Sequence, residues 1–227
     1  MAPLRAVLFD FDGVIVNSEP LHFCAMRDAL APEGLAFDEV EYAREYQAYD
    51  DRTAIRRALE YHGQPWDGER IERIARRKAQ LFEAFLPTVP FFPGARELVR
   101  ALEGAGLPLA IASGARRAEI EAILDAGGLR DSFSAIVGAE SVTNGKPHPE
   151  PYLRAMAALE PAAAGLEPAD CLVIEDTMPG IAAARAAGMR VVAVTHSYPA
   201  AKLAAAHRVV DSLERLSLET LRGLFHD

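Results

Sequence analysis

Two aspartates lie two positions apart near the start of the chain, directly after an apolar run. The run is Val7–Phe9, and Asp10, Asp12 and Gly13 follow it. Residues of this kind predict a buried strand, and alternate side chains of a strand point the same way, so both carboxylates should meet at its carboxyl end. Buried together, they need a cation or protons to compensate their charge. Alone, the Asp-x-Asp-Gly pattern fits a solvated turn about equally well.

Three further polar clusters follow later apolar runs. Any one of them could be an ordinary cap or turn, but open α/β sheets bind ligands beyond the carboxyl ends of their strands. Clusters that all fall at strand ends of one sheet therefore predict a single site. They are Ser113-Gly114, Asn144–Pro147 and Glu175-Asp176, after the apolar runs at 107–112, 135–137 and 171–174.

The acidic members of this set have the chemistry of a magnesium site. Asp10, Glu175 and Asp176 offer hard oxygen ligands, which Mg²⁺ prefers together with waters and a phosphate. Lys146 supplies a point positive charge for a phosphoryl group and for the crowded carboxylates. We therefore expect a metal and a phosphate to bind at this edge of the sheet.

The remaining members suit phosphoryl transfer. Ser113 offers a hydroxyl, and we expect Gly114 and Ala115 to begin a helix whose amides hold phosphate oxygens. Asp10 could attack phosphorus as a nucleophile and form an aspartyl phosphate. Asp12 is placed to protonate the leaving oxygen and later to activate water.

The pattern of elements predicts an α/β fold with a helical insertion. From residue 92 onward strands alternate with helices, which indicates a doubly wound, mainly parallel sheet that the strand at 4–9 must join. The chain closes with a predicted helix over Leu213–Phe225, and residues 20–86 show helical patterns only. We expect an α/β core domain from residues 1–16 and 88–227 and an all-helical cap domain from residues 17–87.

The motifs resemble those of the haloacid dehalogenase superfamily of phosphatases and phosphomutases, and the resemblance covers about residues 5 to 212. The segments 144–152 and 174–181 are similar to the β-phosphoglucomutase-like branch. The resemblance implies a Rossmann-like core, a cap that closes over the site, Mg²⁺ as cofactor, and the backbone carbonyl of Asp12 as a further metal ligand. Dehalogenases lack the second aspartate, so Asp12 favours phosphoryl transfer. The four family motifs match Asp10–Val14, Ser113, Lys146 and Glu175-Asp176.

Substrate identity should come from the cap, where His22, Arg52 and Lys78 are the candidate binding residues. Each has a plain structural alternative, because Arg52 and Lys78 lie in helices rich in solvated charge and His22 could simply be packed. β-Phosphoglucomutase carries a clamping arginine in a Ser-Arg-x-x-Ser pattern. The aligned residue here is Asp51, and Arg52 comes one position, or about 100° of helix rotation, later.

These features favour a phosphatase for small phosphorylated metabolites such as sugar or polyol phosphates. A β-phosphoglucomutase-like sugar phosphomutase is the alternative. A non-catalytic phospho-acceptor resembling a receiver domain is a third possibility, which the position of the acceptor after the first strand and the large cap disfavour.

Composition limits the possible partners. The chain has 227 residues, a formal charge of −9 and two cysteines. It has no basic stripe for nucleic acid and no apolar run of membrane-spanning length, so we expect neither partner. Cys24 and Cys171 match no metal spacing and predict free thiols in a reducing, cytoplasmic location. The expected partner is a small phosphorylated metabolite, and a monomer is favoured although the oligomeric state is open.

Overall fold

A computed structural model describes residues 3–47 and 49–225. The chain divides into two compact units. One consists of Met1–Asn17 and Pro90–Asp227, and the other of Ser18–Val89. We call them the α/β unit and the helical unit.

The described part of the helical unit contains four α-helices. Aspartate side chains cap three of them by accepting backbone N–H groups: Asp38 before α2, Asp50 before α3 and Asp67 before α4. Apolar side chains at helical spacing form a buried core that includes Phe23, Leu30, Ile55, Leu59 and Ile74. The helices are α1 (Glu19–Leu30), α2 (Glu39–Glu45), α3 (Asp51–Tyr61) and α4 (Gly68–Phe85).

The α/β unit is built on one parallel sheet, which has six strands in the described part of the chain, in the order β3-β2-β1-β4-β5-β6. The central strand β1 is buried along its whole length, as expected for a sheet covered on both faces. This arrangement confirms the predicted doubly wound α/β fold with an all-helical insertion after the first strand. The strands are β1 (Ala6–Phe9), β2 (Leu109–Ala112), β3 (Ala135–Val137), β4 (Cys171–Glu175), β5 (Arg190–Val194) and β6 (Arg208–Val210).

Five α-helices complete the described part of the α/β unit. Two of them, the helices that carry Tyr152 and Ile181, contribute to a core that also includes Leu8, Val173 and Leu203. The helices are α5 (Ala95–Gly104), α6 (Arg117–Ala126), α7 (Glu150–Ala158), α8 (Met178–Ala186) and α9 (Leu218–Gly223).

The predicted continuous helix over Leu213–Phe225 is wrong. A short 3-10 turn covers Leu213–Arg215, and Leu216 is extended. Ser217 then starts α9 anew, because its hydroxyl accepts the N–H of Thr220. Within the described residues, none of the helices combines the length and the apolar character that crossing a membrane requires.

Candidate active site

Asp10 stands at the carboxyl end of the central strand. Its N–H donates to the carbonyl of Ile174 over 2.9 Å, which continues the pairing of β1 with β4. Its Oδ1 accepts the N–H of Phe11 over 2.7 Å. The residue is only 8% exposed. Its carboxylate is therefore largely shielded from water, and the bond from Phe11 orients it.

Lys146 joins two of the strand ends. Its Nζ lies 2.9 Å from Asp10 Oδ1 and 2.7 Å from Glu175 Oε1. The ammonium also lies 4.8 Å from the centre of the Tyr152 ring, a cation–π distance. Burial acts to lower the pKa of Lys146, but the carboxylates of Asp10 and Glu175 raise it above its ordinary value. Lys146 is therefore a fixed positive charge in the site.

Glu175 is saturated with hydrogen bonds. Its Oε1 accepts the Tyr152 hydroxyl over 2.7 Å in addition to the ammonium of Lys146. Its Oε2 accepts the N–H of Asp176, the N–H of Thr177 and the hydroxyl of Thr177, each over 2.9 Å. Burial acts to raise the pKa of Glu175, but Lys146 and these donors hold the pKa below its usual value. The Glu175 carboxylate is thus charged and rigid.

The next residue, Asp176, is held on one side only. Its Oδ2 accepts the hydroxyl of Ser197. Its Oδ1 is buried, and no described residue donates a hydrogen bond to it. Burial raises the pKa of Asp176 to about 7, and the charge of Glu175 adds to the effect. A buried carboxylate oxygen without a partner costs free energy and points to a ligand that is bound in the working protein.

The acidic cluster fits a divalent cation. One carboxylate oxygen each from Asp10, Glu175 and Asp176 lie within 4.8 Å of one another. Burial raises the pKa of Asp10 well above its usual value against the opposing effect of Lys146, and the other two carboxylates raise it further. Three buried carboxylates offer oxygen ligands only, and the single ammonium beside them leaves their charge partly uncompensated. This is the chemistry of a site for a hard cation.

Asp12 lies in the turn that follows β1. The turn is possible because Gly13 has a φ of 79°, which residues with a side chain rarely adopt. The charge of Asp12 is one of the influences that raise the pKa of Asp176, so the structure brings Asp12 close to the acidic cluster.

Ser113 follows strand β2, which pairs with β1 so that Phe9 lies beside Ile111. The hydroxyl oxygen of Ser113 accepts the N–H of Ala115 over 3.0 Å, and its proton is not used in that bond. The expectation that a helix begins at Gly114 is wrong, because α6 begins at Arg117 and residues 114–115 form a turn. The phosphate-binding role of this turn stays a prediction.

The helical unit brings together two of its three candidate residues. Lys78 Nζ lies 2.9 Å from His22 Nδ1 and 2.8 Å from Asp51 Oδ1. Lys78 is 3% exposed, and the His22 ring stacks on Phe82 with centroids 4.0 Å apart. Burial, and then the ammonium of Lys78, lower the pKa of His22 to about 4. We call His22, Asp51 and Lys78 the cap cluster.

Arg52 is placed differently. Its Nε lies 2.5 Å from Glu72 Oε1, and its side chain is 65% exposed. Asp51, its neighbour in α3, pairs with Lys78 instead. The side chains of Asp51 and Arg52 thus have different partners, in keeping with the rotation of about 100° between adjacent helix positions. The role of Arg52 in substrate binding stays a prediction.

Sequence reasoning missed three residues that contact the site. Tyr152 and Ser197 donate hydrogen bonds to Glu175 and Asp176, respectively. His196 Nδ1 lies 2.8 Å from the carbonyl oxygen of Gly13. His196 and Ser197 follow the end of the fifth strand after one intervening residue, so the rule that ligand sites form at the carboxyl ends of strands could have found them. Tyr152 has no such signal, because a buried aromatic residue on a helix is usually a packing residue.

The chain is similar to known proteins over most of its length. Residues 4–188 match the family model of haloacid dehalogenase-like hydrolases. Hexitol phosphatase B from Escherichia coli is 35% identical over 198 residues, which are 84% of this chain and 83% of that protein. Beta-phosphoglucomutase from Bacillus subtilis is 30% identical over 223 residues, 96% of this chain and 94% of that protein.

A solved structure is similar over nearly the whole chain. The structure of a HAD family hydrolase from Deinococcus radiodurans, with bound phosphate and sodium, has a TM-score of 0.77 and 31% identity. The match covers 99% of this chain and 98% of that one. With the six-stranded sheet and the clustered motif residues already described, this chain belongs to the haloacid dehalogenase-like hydrolases.

Proposed function

We propose that the protein is a Mg²⁺-dependent phosphatase that hydrolyses small phosphorylated metabolites through an aspartyl phosphate on Asp10. The observation that carries the proposal is the buried acidic cluster itself. Lys146 bridges Asp10 and Glu175 at 2.9 and 2.7 Å, while Asp176 keeps a buried oxygen without a described partner. Such a site needs positive charge from a metal and offers a fixed nucleophile to phosphorus.

The first half of the reaction forms the intermediate. A carboxylate oxygen of Asp10 bonds to phosphorus as the bond from phosphorus to the leaving oxygen breaks. Asp12 gives its proton to that leaving oxygen, so the alcohol departs neutral. The Ser113 hydroxyl and the Lys146 ammonium hold the phosphoryl oxygens.

The second half restores the enzyme. Asp12, now a carboxylate, takes a proton from water, and the water oxygen bonds to phosphorus. The bond from phosphorus to Asp10 breaks, and inorganic phosphate leaves. Asp12 is protonated again and Asp10 is a carboxylate, as at the start.

Asp10, Asp176 and the Asp12 backbone carbonyl would hold Mg²⁺, with Glu175 beside them. When bound, the ion offsets the repulsion between the carboxylates and the incoming phosphate dianion. The five hydrogen bonds on Glu175 already fix its carboxylate. We therefore assign Glu175 mainly to holding Lys146 in place.

The cap cluster supports a substrate with one phosphate and a neutral remainder. Asp51 pairs with Lys78 at 2.8 Å, and the low pKa of His22, about 4, keeps its ring neutral at pH 7. A second phosphate would find no uncompensated cation in this cluster, whereas hydroxyl groups could bond to all three residues. Sugar or polyol monophosphates fit this chemistry, and the name of the relative hexitol phosphatase B agrees with it.

The competing proposal is a β-phosphoglucomutase-like mutase, which the relative of that name supports. A mutase hands the phosphoryl group of Asp10 to a second sugar hydroxyl before water reaches it, and it must hold a bisphosphate intermediate. The Asp51 carboxylate already compensates the Lys78 ammonium, so the cap cluster offers no free cation to hold a second phosphate. We therefore favour net hydrolysis over transfer to a second hydroxyl. We also propose, from the composition alone, a cytoplasmic monomer that acts without nucleic acid or membrane.

The deciding experiment measures two products at once. The purified protein with Mg²⁺ receives β-glucose 1-phosphate and a trace of glucose 1,6-bisphosphate, and in parallel a panel of hexose and hexitol monophosphates. We expect repeated release of inorganic phosphate, fastest from a monophosphate of the panel. Fast formation of glucose 6-phosphate with little free phosphate would replace the hydrolase by the mutase. Phosphate release that stops at one equivalent would instead indicate a phospho-acceptor.

A further inference from the structure

The loop that follows strand β5 reaches two of the elements that carry the acidic cluster. The Ser197 hydroxyl donates to Asp176 Oδ2. His196 Nδ1 lies 2.8 Å from the carbonyl oxygen of Gly13, and its ring stacks on Phe92 with centroids 3.8 Å apart and an angle of 11° between the rings. A third strand end thus holds residues that follow β1 and β4.

Ser197 determines how the two oxygens of Asp176 are used. Oδ2 is occupied by the serine hydroxyl, and Oδ1 is buried without a described partner. A carboxylate can rotate about its last side-chain bond, so an isolated one would not keep a particular oxygen toward a ligand. The hydrogen bond from Ser197 removes that freedom and leaves Oδ1 for a cation.

The turn at Gly13 gives independent evidence that this arrangement is built. A Cβ at Gly13 would collide with Asp176 Oδ2 and crowd the Ser197 hydroxyl. The absence of a side chain therefore lets the Asp176 carboxylate and the Ser197 hydroxyl meet over the turn. His196 donates its Nδ1–H to the Gly13 carbonyl, so it fixes the turn that follows Asp12.

We infer that Ser197 is a positioning residue of the divalent-cation site, which it serves by orienting Asp176, and that His196 steadies the adjoining Gly13 turn. This inference rests on the proposed function only in assuming that a cation binds at Asp176. Groups that orient a metal ligand through a hydrogen bond typically change metal affinity about 10- to 100-fold when they are removed. Ser197 is exposed, so its replacement should leave core packing intact.

The test measures cation binding directly, without turnover. Mn²⁺ binding to the metal-free protein is titrated by electron paramagnetic resonance, and Mg²⁺ is then added to show that the two ions compete. We expect Ser197→Ala to weaken the competed Mn²⁺ site by about 10-fold or more and Asp176→Ala, which removes the ligand itself, to weaken it further. Ser197→Thr, which keeps the hydroxyl, should bind Mn²⁺ within about 3-fold of the original protein, well short of that loss.

Ser132→Ala controls for the loss of a serine hydroxyl that donates to a carboxylate, although Ser132, unlike Ser197, is buried. The Ser132 hydroxyl donates to Glu103 over 2.9 Å, so the same kind of bond is removed from the same unit away from the acidic cluster. Circular dichroism checks that every variant is folded. We expect the control to bind Mn²⁺ like the original protein.

The outcomes separate the inference from its premise. If Asp176→Ala binds Mn²⁺ unchanged, the cation does not lie at Asp176 and both the inference and the proposed metal site fail. If Asp176→Ala weakens the site but Ser197→Ala binds normally, the metal site stands and the role of Ser197 is refuted. Equal weakening by Ser132→Ala, or no rescue by Ser197→Thr, would likewise refute positioning by the hydroxyl.

Discussion

The pKa of His22 offers a quantitative test of the cap cluster. Burial and then the ammonium of Lys78 lower this pKa from 6.5 to about 4, while the carboxylate of Asp51 opposes them. Lys78 donates to Nδ1 over 2.9 Å, so the proton of the neutral ring lies on Nε2. The difference in pKa corresponds to about 3 kcal/mol.

The sign of the effect on stability follows from proton linkage. Between pH 6.5 and about 4 the unfolded chain carries more protons on His22 than the folded chain does. The contribution of the neutral His22 ring to the free energy of unfolding is therefore fully present above pH 6.5 and is lost as the pH falls through about 4. We expect acidification over this range to lower the free energy of unfolding of the helical unit by up to about 3 kcal/mol.

Two substitutions should move the pKa of His22 in opposite directions. Lys78→Met removes the ammonium but keeps an apolar stem, so the pKa should rise, although burial keeps it below 6.5. Asp51→Asn removes the opposing carboxylate, so the pKa should fall below 4. Nitrogen-15 NMR titration of the imidazoles measures both changes, and His22→Asn assigns the signal among the six histidines. His207, in the α/β unit, serves as the unaffected control.

The argument for a neutral cap cluster would be refuted by several results. One is an ordinary pKa for His22 in the unchanged protein. Another is a neutral ring with its proton on Nδ1. A third is a fall of the pKa in Lys78→Met. Any of these would remove the reason for expecting a substrate whose remainder is neutral.

Four further predictions concern the reaction. Asp10→Asn removes the nucleophile at similar volume and should abolish phosphate release by a folded protein; substantial residual turnover would exclude Asp10. A chelator should stop activity, added Mg²⁺ should restore it, and Asp176→Ala should raise the Mg²⁺ needed for half-activity; full activity in chelator would contradict the metal site. Asp12→Ala should cost about 10²- to 10⁴-fold with an alkyl phosphate and less with a nitrophenyl phosphate, whose leaving group needs no proton; equal losses would exclude the acid role. Arg52→Ala should lower kcat/KM for the best natural ester but not for nitrophenyl phosphate, and Arg56→Ala, an exposed arginine of the same helix, is its control; equal effects on both esters would make Arg52 structural.

The parts of the site that sequence predicts are those tied to strand ends by local pattern. Apolar runs of buried strands are readily recognised. Asp10 directly follows β1, and Glu175 is the last residue of β4. The parallel pairing of β1 with β4 then brings both residues to one edge of the sheet. Residues at the carboxyl ends of the strands can therefore be assigned to one site once the strand order is known.

Contacts that depend on tertiary packing were not predictable in the same way. The bond between Tyr152 and Glu175 joins a helix to a strand that lie 23 residues apart. The bond between Ser197 and Asp176 depends on a short loop whose residues have ordinary turn character. The final helix was overestimated because the Ser217 cap, which restarts it after an extended residue, competes locally with the helical apolar pattern.

The charge balance of the acidic cluster divides its carboxylates by role. Glu175 accepts five hydrogen bonds from the protein, one of them from the Lys146 ammonium, and these hold its pKa below the usual value. Burial instead raises the pKa of both Asp10 and Asp176, so the protein leaves the charge of these two carboxylates to be compensated by a ligand. A divalent cation can compensate both at once, and a bound phosphate then restores negative charge beside Lys146. Both oxygens of Glu175 are occupied by donors of the protein, so this carboxylate fixes the position of Lys146. Asp10 and the unpartnered oxygen of Asp176 would serve the metal and the reacting phosphate.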